Sequence, residues 1–306
     1  MSQMPKDMVK CKICVLPSRT GWPALEAHFS ELCLTLPDWY SRHRLFSRYD
    51  EGILLDRESW FSVTPEAIAA RIAERCRCNV VLDLFCGAGG NAIQFAMTCN
   101  KVIAIDVDPI KIEMARHNAA IYGVQDRITF LVGDAVEFCR DWTEGREGLV
   151  DIDVVFLSPP WGGTDYQKGQ ADSEPPAPPL AASLLDESFD ASATEKRKQS
   201  ADAHTKSRYT HYPLSALSPL SGQDLYAMAS KITPEVVMFL PRSCDLDELS
   251  RLPLRHSDQD TDSEGENERP ILSIEEQFLG SSFKALSVYF GSLATDWDDD
   301  RETGYA

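Results

Sequence analysis

The chain has 306 residues, 43% of them hydrophobic and 25% charged, enough for one large α/β domain with extensions. No apolar run approaches the roughly 18 residues of a membrane span, and MSQMPKDMVK lacks a signal-peptide core, so the chain reads as soluble and intracellular. A net charge of −18 argues against a long nucleic-acid groove, and nine cysteines, several in strand-like or helical text (Cys86, Cys99, Cys139), read as reduced thiols.

Residues 1–36 form an N-terminal extension in which Cys11, Cys14, His28 and Cys33 follow a C-x2-C…H-x4-C spacing. This resembles a C2HC zinc finger whose four protein ligands would hold a structural ion. Pro17 and Pro23 favour a plain tail instead, and both readings stand. Residues 37–75 read as helical, with Thr64 as a cap and Pro65 in the first turn of the helix "EAIAARIAERC". Residues 76–295 alternate apolar strands with helical text, the pattern of a parallel sheet with crossover helices. Five parallel strands are expected at "NVVLDLF", "KVIAID", "ITFLVGD", "VVFLSPP" and "EVVMFLP". "ILSIEEQFLG" and "KALSVYFGSL" then close the sheet as an antiparallel hairpin, for seven strands in all. After the second strand a helix is bounded by Asp108-Pro109 and Gly123, with Ile112, Ala115, Ala119 and Tyr122 on one face.

Two insertions interrupt this order. Residues 169–207 are rich in Pro, Ala and Ser and read as flexible. Residues 256–269 carry six acidic residues against Arg269, and the tail 296–306 adds a net four more negatives, so nine of the eighteen excess charges sit in solvated segments.

The first strand runs into "DLFCGAGGNAIQFA", a strand, glycine turn and helix that brings backbone N–H groups against a ligand. Asp106 ends the second strand, about 20 residues beyond the first turn glycine, where a carboxylate accepts ribose hydroxyls. Asp134 follows the third strand and suits an adenine amino group. The turn Gly87-Ala88-Gly89-Gly90 is not the full dinucleotide pattern, and Asp83 before it repels phosphate while suiting an ammonium or sulfonium. The set therefore favours S-adenosylmethionine over a dinucleotide, with Phe85 and Asn91 flanking the turn as further cofactor candidates.

Strand four ends in Ser158-Pro159-Pro160-Trp161, at the edge where such sheets bind ligands. A planar base with an exocyclic amine fits there. Ser158 Oγ and the Pro159 carbonyl accept the amine's hydrogens and Trp161 stacks on the ring. A Trp161 merely folded onto the core is the alternative, and the flanking prolines and glycines weigh against it.

Together, "RLFSRYDEGILLDRESWFSVTPEAIA", "LDLFCGAGGNAIQFA", "VIAIDVDPIKIEMARHNAAIYG", "FLSPPWGGTDY" and "VVMFLPR" resemble the trimethylguanosine synthases, over about residues 39–166 and 209–292. The resemblance implies a Rossmann-like class I methyltransferase domain, preceded at 37–75 by a helical region that completes the cap site. It also implies conversion of a 7-methylguanosine cap to the 2,2,7-trimethyl form on small nuclear and nucleolar RNAs. A monomer is expected, in nucleus and nucleolus and also in cytoplasm, with ribonucleoprotein proteins as further partners and no membrane. A charged 7-methylguanine over Trp161 gains about 2 kcal/mol from the cation–π contact when desolvated. By the same resemblance Arg242 matches a triphosphate contact and Phe61, Ser62 and Thr64 line the pocket. Arg44 and Arg48 either join Arg242 or belong to a solvated face. Leu54 departs from the family, standing where a lysine is expected, so one phosphate contact is lost or supplied otherwise.

Two rivals remain. An adenine-N6 or internal guanine-N2 methyltransferase on RNA or DNA would be favoured by Asp or Asn in place of Ser158. An inactive methyltransferase-fold scaffold would show an eroded cofactor motif, whereas Asp83, Gly87, Gly89, Asp106 and Asp134 are all present.

Overall fold

The computed structural model describes residues 39–145, 150–162, 211–252 and 271–295. Cys11, Cys14, His28 and Cys33, both insertions and the acidic tail lie outside these residues.

The chain enters through α1 (Arg42–Leu45), a 3-10 turn (Tyr49–Glu51), α2 (Arg57–Ser62) and α3 (Glu66–Arg75). There follow β1 (Val80–Asp83), α4 (Gly90–Thr98), β2 (Lys101–Asp106), α5 (Pro109–Tyr122), β3 (Ile128–Val132), α6 (Ala135–Glu144) and β4 (Val154–Leu157). The described remainder is α7 (Gly222–Ala229), β5 (Val236–Pro241), α8 (Leu246–Ser250), β6 (Leu272–Leu279) and β7 (Ser282–Phe290). All seven expected strands form, in the order β3-β2-β1-β4-β5-β7-β6. β1 to β5 are parallel, and the β6–β7 hairpin joins β5 antiparallel through β7.

Central strands read as apolar runs because both faces are covered: β1, β4 and β5 are buried at every position. One core layer gathers Val81, Phe95, Phe156 and Tyr289; the other gathers Leu82, Val155, Met238 and Val288. Helix α5 starts and stops as its sequence dictates. Asp108 caps it by accepting from Ile110 N at 2.8 Å, Pro109 takes the first position, and Gly123 ends it at φ 72°.

The expected cap on α3 is a correction. Pro65 occupies the N-cap and makes no side-chain cap bond, while Thr64 Oγ1 accepts from Asn91 Nδ2 at 2.9 Å. A buried amide on α4 competes successfully for that hydroxyl.

The 39–66 segment contributes an aromatic group to the first core layer. Trp39 and Trp60 stack with centroids 6.1 Å apart and planes 2° from parallel, and Tyr49 lies edge-on to both. Polar side chains then fasten this segment to α4 and α5. Asn118, wholly buried, accepts from Leu54 N at 2.8 Å and donates to Leu54 O and Ala88 O at 2.9 Å each. The Lys111 ammonium donates to Asp56 Oδ1 at 2.9 Å and Ser59 Oγ at 2.8 Å. Tyr122 OH donates to Glu66 at 2.6 Å, and Glu66 also accepts from Ser47 N and Oγ.

Candidate active site at the carboxyl edge of the sheet

Because β3, β2, β1, β4 and β5 run in one direction, their carboxyl ends line a single edge in that spatial order. Asp134, Asp106, the Asp83–Gly89 turn, Ser158–Trp161 and Arg242 therefore follow one another along it. The order reverses between β1 and β4, the switch point where open α/β sheets hold ligands.

Asp83 closes β1 with no exposed surface. Phe85 N approaches Oδ1 at 3.4 Å, and Oδ2 has no protein partner. Burial, aided by the nearby Asp106 charge, pushes its carboxyl up to about 7 although the Phe85 N–H pulls the other way. A buried carboxylate with one orphan oxygen fits a cationic ligand group. The turn after it holds its shape through Asp106, whose Oδ2 accepts from Gly87 N and whose Oδ1 accepts from Asp108 N, each at 2.9 Å. Burial raises the Asp106 carboxyl, against those two backbone bonds. Gly89 adopts φ 91°, and a Cβ there would stand 3.1 Å from Ala115 on α5. At Gly90 a Cβ would meet Val63 Cγ2 at 2.6 Å, so the helix start is pressed against the 61–64 segment. That approach brings half-exposed Phe61, buried Thr64 and buried Asn91 to the turn's flank, and Asn91 Oδ1 is a second orphan oxygen.

Asp134 is exposed and caps α6, its Oδ1 accepting from Val136 N at 2.7 Å and Glu137 N at 3.1 Å. Val107 and Val132, beside Asp106 and Gly133, are 71% and 56% exposed. These apolar side chains at the edge were missed from sequence; only their place at strand ends marks them.

β4 delivers the acceptor side. Ser158 Oγ donates to the Phe85 carbonyl at 3.2 Å, tying the Ser-Pro-Pro-Trp run to the turn after β1. Pro159 is buried, Pro160 exposed. Trp161 is half-buried: its Nε1 donates to the Phe239 carbonyl at 3.3 Å and its ring tilts on Phe239 at 5.5 Å. The indole thus lies at the edge rather than in the interior, packed against both core layers with part of it open.

The cations are less gathered. Arg242 follows β5, exposed, with Nη1 donating to Phe283 O at 3.2 Å. Arg48 pairs with Glu51, Nε to Oε1 at 2.8 Å, and rests 5.6 Å from the Tyr122 ring centre. Arg44 is exposed on α1. Leu54 is buried with both backbone polar groups taken by Asn118, so its side chain belongs to the core and not to a phosphate site. Asn118 and Lys111 were likewise missed. The available signal was two polar residues at positions that share the buried face of α5 with Ile112, Ala115 and Ala119.

A family model described as RNA cap guanine-N2 methyltransferase matches residues 78–180 and 205–292. The trimethylguanosine synthase of Schizosaccharomyces pombe is 37% identical over 223 residues, covering 69% of this chain and 72% of its own length. That of Saccharomyces cerevisiae is 34% identical over 220 residues, 70% of this chain and 56% of its own length. The chain thus spans a little over half of the budding-yeast relative. A crystal structure from Porphyromonas gingivalis W83, described as a candidate methyltransferase, superposes with a TM-score of 0.53 at 13% identity, covering 90% of this chain and 53% of that one. At that identity the likeness speaks for the fold alone.

Proposed function

This chain belongs to the RNA cap guanine-N2 methyltransferases, and on that premise we propose that it converts 7-methylguanosine caps to the 2,2,7-trimethyl form through the residues gathered above. S-adenosylmethionine supplies a methyl group made electrophilic by its sulfonium. Asp83 offers the orphan carboxylate oxygen to the cofactor's cationic end, and a positive charge there returns the carboxyl to its ionised form. Asp106 keeps spare lone pairs for the ribose hydroxyls while its backbone bonds fix the turn. Val107 and Val132 flank the adenine, whose amino group falls to Asp134.

The observation that carries the reading is the Ser158–Phe85 bond beside an indole locked by Phe239. Ser158 has committed its proton to Phe85, so its lone pairs are left to accept from the guanine N2 amine, together with the Pro159 carbonyl. Trp161, unable to spin, presents a fixed face to a flat cation. The positive purine acidifies its own amine, so no strong base is required, and rate comes from alignment. Arg242, with Arg44 and Arg48, provides the positive charge for the triphosphate. Substrates in this reading are small nuclear and nucleolar RNAs, met by a monomer in nucleus and nucleolus and also in cytoplasm. The four N-terminal ligands, Cys11, Cys14, His28 and Cys33, hold a structural zinc, and ribonucleoprotein proteins bring the substrate.

The test is incubation of m7GpppA with labelled S-adenosylmethionine, product mass as readout and unmethylated GTP as control. Transfer of one or two methyl groups to m7G alone is expected. Absence of transfer while cofactor binds would favour the scaffold reading. In the same assay Trp161→Ala should weaken m7G binding about 30-fold, the equivalent of some 2 kcal/mol, and erase the preference over unmethylated guanosine. Retained preference would refute the stacking role.

A further inference from the structure

Three cysteines lie at the sheet edge opposite the active site, at the amino ends of β1 and β2. Cys76 and Cys78 follow α3, and Cys99 caps the end of α4. Of these, Cys78 and Cys99 have their sulfurs 3.7 Å apart. From this geometry we propose that Cys78 and Cys99 are a modification site, a dithiol that peroxide-class oxidants convert reversibly into a disulfide across the two strands.

Register is the main support. β1 and β2 pair in parallel with Val80 opposite Lys101 and Val81 opposite Val102. The match extends beyond the strands, for Asn79 O accepts from Lys101 N at 2.9 Å and the Asn79 and Asn100 amides bond at 3.0 Å. One step further back, Cys78 faces Cys99. Neighbouring strands run about 4.8 Å apart, inside the Cα separation of roughly 4.4–6.8 Å that a disulfide needs. In a parallel pair, residues in register point to the same face, so both thiols meet without a backbone shift. Neither is bonded to another cysteine in this structure.

Chemistry agrees with placement. Cys78 S–H donates to Cys99, which holds the Cys99 thiol below its ordinary value and raises that of Cys78, so the pair shares a proton. Thr98 Oγ1, 3.6 Å from the Cys99 sulfur, adds a polar neighbour. Cys78 is half-buried and meets the oxidant, while Cys99 is 2% exposed and resolves. As the Cys99 thiolate takes the Cys78 proton, the Cys78 sulfur attacks one peroxide oxygen and the O–O bond breaks. The departing hydroxide takes the Cys99 proton and leaves as water. The Cys99 thiolate then attacks the sulfenic sulfur of Cys78, the S–S bond forms and a second hydroxide departs. Peroxide is reduced and the two sulfurs are oxidised.

The test uses full-length protein treated with hydrogen peroxide, denatured, alkylated and digested with trypsin. Residues 78–101 hold no internal Lys or Arg and leave as one peptide carrying Cys78, Cys86 and Cys99. Alkylated thiols in that peptide should fall from three to one, at Cys86, with loss of two hydrogens, and return to three after dithiothreitol. Chymotryptic cleavage within the peptide should leave its two ends joined. Cys76→Ser should still form the bond, and Cys99→Ser should leave Cys78 as a sulfenic or sulfinic acid. Pairing of Cys78 with Cys76 or Cys86, or sulfinic acid at Cys78 beside an alkylated Cys99 in the unsubstituted protein, would overturn the proposal.

Discussion

The parallel sheet and the segment that precedes it share one apolar core, but the seam between them adds a set of directional bonds. Within the sheet, Val81, Phe156, Val237 and Leu240 are wholly buried and their attraction is non-directional. Between the 39–66 segment and the sheet, Phe46, Ile53, Leu54 and Leu55 join that core, and directional bonds are added: Asn118 to Leu54 and Ala88, Lys111 to Asp56 and Ser59, Asn91 to Thr64, Tyr122 to Glu66. Apolar packing decides that the fold forms. The polar seam decides where Phe61 and Thr64 stand against the glycine turn, a matter of tenths of an ångström at Gly90.

The hardest blow to the seam is Asn118→Leu, which strands two carbonyls and one N–H in the interior and should cost about 3–5 kcal/mol. Amide hydrogen exchange should accelerate across residues 49–64 and far less in β1–β5. Uniform acceleration would break the distinction. Asp83→Asn probes the one place where the sheet defies its apolar rule. A carboxyl raised to about 7 favours the protonated form, so the folded chain binds more protons than the unfolded one and loses stability as pH rises from about 4 to 7. Removing that ionisation should raise unfolding stability of the cofactor-free protein at pH 8 by something on the order of 4 kcal/mol, while cofactor affinity drops. Calorimetry at pH 5 and 8 reads both, and a gain no larger at pH 8 than at pH 5 would be contrary.

Lys111→Met leaves Asp56 without its ammonium and should cost about 3 kcal/mol. Burial pushes the Asp56 carboxyl up, but the Ser59 N–H and Lys111 together bring it below the ordinary value. Its contribution is therefore present above the usual carboxylate range and fades as pH falls through the lowered value. In the variant this acid-side loss should shrink, as urea titrations at stepwise lower pH will show. Smallest is Thr64→Val, one bond, at about 1 kcal/mol. If kcat falls tenfold while the thermal midpoint barely moves, the seam positions as well as binds.

The sequence made the sheet legible because each strand is an apolar run closed by a turn residue, and α5 legible through Asp108, Pro109 and Gly123. That Asp83, Asp106, Ser158 and Trp161 share one edge was legible too, since strand ends reach it by topology alone. The seam was not, because Leu54 and Asn118 are 64 positions apart and nothing local marks their meeting. Thr64 shows the same failure in miniature: a hydroxyl before a proline reads as a cap until a distant amide claims it. Asp134 carries two readings at once, a local cap and a ligand contact, and spacing could not separate them.

Gly90 has a consequence for how this kind of turn is recognised. A methyl group there would collide with Val63, whatever sits in the cleft. The last glycine of the run thus records a neighbour rather than a guest. A chain that keeps glycine at 87 and 89 but bears a side chain at 90 can still fold around the same nucleoside, yet it has no berth for the segment that precedes it here.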